Sequence, residues 1–255
     1  MNPSNSTEEC LHSYHVWDRS VRIFHWVNVI CIIGLICLGL ILLNNKSFGV
    51  SADGKILLKT LHAYFGYVFV INLAWRLVWG FVGNKYSRWK AVLPFRKGYI
   101  KLFKSYAKGL VKNNTPPYAG HNPIAKLMVS ILFALLITQA TTGLILAGTD
   151  LYLPPFGHEI AEWVTGSGED HSKLADLKPG SKEGVDPEGY KEMREFRKPF
   201  ITVHVYVFYI LVIAILLHIM GVIVTELKEK CGLVSAMFTG KKVYRKKPID
   251  YDANE

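Results

Sequence analysis

Cysteine is scarce in this chain. Four occur in 255 residues, at positions 10, 31, 37 and 231, and none forms a C-x-x-C pair or a C-x-x-C-H motif. That spacing gives no basis for a disulfide framework, an iron–sulfur ligand set or a covalently attached haem. Proline is absent from the interiors of four long apolar runs, at about 24–43, 61–83, 124–148 and 200–224. Transporters built on broken helices carry inverted repeats and mid-span breaks. The missing prolines, the lack of any repeat and the count of only four runs all weigh against that class. Acidic residues are missing from the interval 84–122, which holds nine Lys or Arg. No phosphate-binding loop is present either.

What is abundant is apolar length. Half of the residues are hydrophobic, and about 20 consecutive apolar residues suffice to cross a bilayer core of about 30 Å. A soluble domain of this size has no need of four such runs, so the expected fold is an all-α integral membrane protein, a four-helix bundle. The first run follows a polar lead without a small-residue cleavage site and is expected to be a retained anchor. The charges orient the spans. The interval 84–122 is wholly basic, the segment after residue 224 has seven basic and five acidic residues, and the interval 150–199 has seven basic and eleven acidic ones. By the positive-inside rule both termini and the 84–122 loop face the cytoplasm, and the 44–60 and 150–199 loops face outward. The expected layout is a cytoplasmic segment 1–23, a membrane domain 24–224 with a long outer loop 150–199, and a cytoplasmic tail 225–255. A net charge of +10 can also signal nucleic-acid binding, but basic residues that line membrane edges argue for lipid headgroups instead.

The run 200–224 carries two histidines and no charge. His204 and His218 are 14 positions apart, which places them ~21 Å apart along a helix and only ~40° apart around it. An imidazole within a span is costly and turns toward a partner in the bundle. The partner this geometry points to is a haem iron at each depth, and two further histidines stand at matching depths. His25 lies at the cytoplasmic start of the first span, level with His218. His62 lies at the outer start of the second, level with His204. The topology came from Lys and Arg alone, so the depth match is independent of it. Taken alone, an interfacial histidine such as His25 reads as a headgroup contact, and buried histidines also serve proton or metal-ion transport.

Several residues join these four as candidates. Gly66, one turn beyond His62, would let a flat macrocycle approach the backbone, or would serve ordinary helix packing. Arg76 shares the face of His62 at the deeper level, where it would pair with a haem propionate or snorkel to headgroups. Arg22, beside His25, is a second candidate propionate partner. His121 precedes Asn122 and Pro123, a helix start by N-cap and first-turn proline, and is a candidate for binding or protonating a quinone. Thr138, Gln139, Thr141 and Thr142 read as interhelical hydrogen-bonding residues. Lysines at 97, 101, 104, 108 and 112 recur at helical spacing, which predicts an amphipathic helix on the inner leaflet. Residues 158–164 predict a short helix, and a charged helical stretch precedes residue 199. His12 and His15 read as part of a solvated tail, and a metal site from His158 and His171 is a weak alternative.

The segments RIFHW (22–26), LHAYFG (61–66), GHNPIA (120–125) and FVGNKYSR (81–88), with H-x13-H in the last span, resemble the prokaryotic b561-like cytochromes. They are most similar to the b-type cytochrome subunits of membrane-bound nickel–iron hydrogenases, over about residues 14–148 and 200–245. The resemblance implies non-covalent haem b at two bis-histidine sites, with ligands at His25, His62, His204 and His218. It also implies electron transfer between a periplasmic redox protein and membrane quinone in the bacterial inner membrane. The 150–199 loop looks longer than in the hydrogenase subunits, so a c-type cytochrome stands beside hydrogenase as the expected partner. A passive membrane anchor is the remaining alternative.

Overall fold

The computed structural model describes residues 11–166, 174 and 177–251. Each long helix begins where the sequence supplies a cap. Asp18, Ser51, Asn122 and Asp186 accept hydrogen bonds from the backbone N–H three residues on, at 2.8, 3.1, 2.8 and 2.7 Å. Proline occupies the first helical position after Asn122 and Asp186, where its missing N–H costs nothing. The helices that follow are α1 (Arg19–Leu43), α2 (Ala52–Val82), α5 (Pro123–Leu151) and α7 (Pro187–Glu229). All four are long and apolar enough to cross a membrane. Their outward faces carry large apolar side chains, among them Ile71 at 70% and Tyr206 at 67% exposure. Water would penalise such faces, whereas lipid matches them. The protein is thus an all-α integral membrane protein with four spanning helices.

At 43 residues, α7 measures about 65 Å, twice the hydrocarbon thickness. The charged stretch before residue 199 is therefore the first part of the last spanning helix, not a separate element. Pro199 lies within α7 and offers no N–H to the Glu195 carbonyl. Between the spans stand α3 (Trp89–Val92), α4 (Tyr99–Val111) and α6 (Gly157–Thr165), and after α7 comes α8 (Leu233–Thr239). The expected short helices at 158–164 and on the lysine-rich segment are α6 and α4.

The chain divides into two compact units, and each long helix contributes one part to each. The first unit comprises 1–25, 75–133 and 213–255. Here the N-terminal residues, expected to be loosely ordered, form β1 (His12–His15), paired antiparallel with β2 (Lys241–Tyr244). This pairing joins segments more than 220 residues apart, so no local pattern announces it. As strand residues three apart, His12 and His15 point to opposite faces. Val16 and Trp17 N–H groups both donate to the Gly240 carbonyl. Gly240 has φ +82°, and a Cβ there would lie 2.6 Å from the Trp17 oxygen, so the turn requires glycine. Lys242 is buried and donates to the Gly120 carbonyl at 3.0 Å, and the Asp250 carboxylate accepts from the Ala119 and Gly120 N–H groups.

The second unit comprises 26–74 and 134–212. Its polar end is tied by Asp150 of α5, which pairs with Lys59 of α2 at 2.7 Å and with Arg197 of α7 at 2.6 Å. Ile160, Val164 and Met193 form a small core where α6 meets the start of α7. His171 lies outside the described residues.

Candidate haem site

The second unit brings together His62 of α2 and His204 of α7, with ring centroids 6.3 Å apart and planes inclined at 71°. Two imidazoles that share one transition-metal ion at about 2.0 Å each have centroids about 6 Å apart. Both rings line a cavity of about 440 Å³ bounded chiefly by apolar side chains of α1, α2, α5 and α7. Glycines shape its walls. A Cβ on Gly143 would sit 3.4 Å from His204 Cε1, and one on Gly39 would sit 3.6 Å from His62 Cε1. Gly66 also lines the cavity, and a Cβ there would meet nothing within 4 Å. The Gln139 side-chain oxygen is buried at this wall with no hydrogen-bond donor among the described residues. Two facing imidazoles and glycine-thinned apolar walls fit a flat, largely apolar macrocycle with an axially ligated metal.

Thr142 Oγ1 lies 2.9 Å from His204 Nδ1 and donates to the Thr138 carbonyl oxygen at 2.7 Å. With its proton on Thr138, Oγ1 accepts from Nδ1–H in the tautomer that leaves Nε2 unprotonated. Nε2 of His204 then carries the lone pair that a metal needs. The sequence marks Thr142 as an interhelical hydrogen-bonding residue. Its partner emerges only once α5 and α7 are in register.

In the first unit His25 and His218 lie close enough to interact electrostatically. Arg76 is 4% exposed and does not snorkel to a surface. Its guanidinium is 5.1 Å from the Trp89 ring and 5.4 Å from the Phe133 ring, and Nη2 donates to the Ser87 carbonyl at 3.0 Å. Nη1 is buried without an acceptor among the described residues. Arg22 spends its Nη1 on the Phe238 carbonyl. His121 packs on Trp17 at 4.8 Å, and its Nδ1 is inaccessible and unbonded although the residue as a whole keeps some exposure. Burial, reinforced by Lys242, Lys126 and Arg76, pushes its pKa down to about 3, so His121 is neutral at physiological pH.

Apolar spanning helices and paired imidazoles at an apolar, glycine-lined cavity fit the class of membrane b-type cytochromes, haem proteins of electron transport. The family model for prokaryotic cytochrome b561 matches residues 16–240, and the chain belongs to that family. Among its relatives is a probable Ni/Fe-hydrogenase B-type cytochrome subunit of Rhodobacter capsulatus, 24% identical over 93% of this chain and 84% of the relative. One from Bradyrhizobium diazoefficiens is 23% identical over 91% and 86%, and one from Escherichia coli K12 is 30% identical over 51% and 59%. No solved structure matches the chain.

Proposed function

We propose that this cytochrome holds two b haems, one between His62 and His204 and one between His25 and His218, and passes electrons between a periplasmic redox protein and membrane quinone. The observation that carries this reading is the 6.3 Å separation of His62 and His204 across a glycine-walled cavity. Bound here, a haem would be held by the imidazoles of each pair and would supply single-electron exchange. The residues orient, bury and insulate. Thr142 holds His204 in the ligating tautomer, the apolar walls exclude water, and Arg76 offers its unbonded Nη1 to an anionic edge near the first unit's pair. His121, neutral and buried, is suited to accept a hydrogen bond from a quinol.

The names of the relatives favour a nickel–iron hydrogenase as the periplasmic partner, with a c-type cytochrome the other candidate. The long 150–199 segment is the docking surface in this reading, and 24–224 is the membrane domain. The β1–β2 pairing sets His12–His15 beside Lys241–Tyr244, as expected if the segments before the first span and after the last face the same side as the basic 84–122 interval. This supports an inner-membrane protein with cytoplasmic termini.

His204→Ala is the direct test. Haem per polypeptide in the purified protein should fall from about two to about one, with the remaining haem still reducible by a quinol analogue. Loss of both haems together, or of neither, would refute the pairing. Wild-type haems that quinol cannot reduce would instead favour a passive anchor.

A further inference from the structure

The cavity that contains His62 and His204 has a strongly asymmetric lining. Lys55, Lys59, Arg194 and Arg197 all border it, and among the described residues Asp150 is the only acidic one that does. Asp150 is already shared between Lys59 and Arg197, accepting from Arg197 Nε at 2.6 Å and Nη2 at 2.8 Å. Lys55 and Arg194 make no ion pair among the described residues. The lining therefore carries four cations against one anion around an otherwise apolar space.

These charges stand at one end, at a common offset. Lys55 precedes His62 by seven residues on α2, Arg197 precedes His204 by seven on α7, and Asp150 follows Gly143 by seven on α5. Seven residues are two turns, about 10.5 Å along the axis and about 20° around it, so each charge shares the face of the cavity residue it flanks. Lys59 is one turn from His62, and Arg194 lies one turn beyond Arg197.

We propose that Lys55, Lys59, Arg194 and Arg197 form a carboxylate-binding rim that takes the two propionates of the macrocycle held by His62 and His204, with Asp150 fixing the aim of Lys59 and Arg197. This rests on the haem reading of that pair and adds a direction to it. The acidic edge of the macrocycle faces the Asp150 end, and its apolar edge faces the interior wall near Phe69 and Leu211. Arginine suits this role because its planar fork matches a carboxylate, and the ion pair with Asp150 pre-orders Arg197 without neutralising the rim.

The test uses full-length protein carrying His218→Ala, which isolates the His62/His204 site, in membranes from haem-deficient cells. These are titrated with haem b and with its propionate dimethyl ester, and binding is followed by the Soret band. The rim should make haem b bind about tenfold tighter than the ester, as expected for two partly exposed charge pairs. Lys55→Gln/Arg194→Gln should remove most of that preference while leaving ester affinity unchanged. Both side chains are solvent-exposed, so the fold is expected to tolerate the pair. Equal binding of the two haems by the unsubstituted rim would overturn the proposal, as would equal weakening of both in the double variant, which would mark the cations as structural or lipid-facing. Adding His204→Ala separates the two readings. If haem binding persists undiminished there, the ligand assignment itself fails, whereas equal binding of haem b and its ester by the unsubstituted rim, with both lost in His204→Ala, refutes only the rim.

Discussion

Thr142→Val removes one hydroxyl and keeps the shape of the side chain. In the wild type Thr142 is buried, donates to the Thr138 carbonyl at 2.7 Å and accepts from His204 Nδ1 at 2.9 Å. The acceptor increases electron density on the ring and so favours the more positive ferric iron. A net hydrogen bond is worth about 0.5–1.5 kcal/mol, and a tenfold change in a one-electron equilibrium, about 1.4 kcal/mol, corresponds to about 59 mV. If half or more of the bond's worth differs between oxidation states, the midpoint potential of that haem should rise by about 10–60 mV. Spectroelectrochemical titration that resolves the two b-type bands measures this directly. Thr142→Ser, which keeps the oxygen, should stay near the wild-type value. A potential that stays fixed or falls, or an equal shift of both haems, would refute the assigned direction of the hydrogen bond or the assigned ligand.

Three further outcomes are expected. Gly143→Leu should deplete the His62/His204 haem by more than half at normal membrane yield, because even a Cβ there stands 3.4 Å from the His204 ring, and haem analysis of the purified variant checks that wall of the cavity. Burial works against the Asp18 charge, but hydrogen bonds from Trp79, the Val21 N–H and Ser87 outweigh it and hold the carboxyl below its ordinary 3.8. Its contribution is present above that value and lost as pH falls through the lower folded value, so Asp18→Asn should cost about 1–2 kcal/mol at pH 6 and flatten the acid limb of a thermal-melt series. For His121 the sign is set by a pKa near 3 in the fold against 6.5 outside it. The unfolded chain takes up this proton first, so stability should fall with decreasing pH between about 6.5 and 3, at up to about 1.4 kcal/mol per unit. His121→Phe should remove that slope.

The spans were legible because each physical requirement leaves a local mark. Apolar length, Asn122 as a cap before Pro123, and the recurring lysines of α4 are all readable within a few residues of the element they define. The β1–β2 pairing was not, since His12 to His15 offer no contrast of faces until the segment after Gly240 is laid beside them. The true start of α7 was hidden for a different reason. A hydropathy window ends at the charges before Pro199, but helix formation needs only compatible backbone and a cap, and Asp186 supplies the cap thirteen residues earlier.

The site divides along the same line. Histidines in apolar runs are conspicuous because burying them is costly, so the sequence nominates all four imidazoles. The residues that suit the second unit's pair to a macrocycle are quiet ones. Gly39, Thr142 and Gly143 sit on α1 and α5, and α5 has no histidine to draw attention to it. Their roles depend on the rotation of one helix against another, which no single helix encodes. The Asp150 group is the exception. Lys55 with His62, Gly143 with Asp150 and Arg197 with His204 repeat one two-turn interval on three helices, a regularity present in the sequence but without meaning until His62 and His204 are known to face each other. The separation of the rings and the spacing of the charges are independent facts. They coincide at one cavity, as the proposed haem with its acidic edge at the Asp150 end requires.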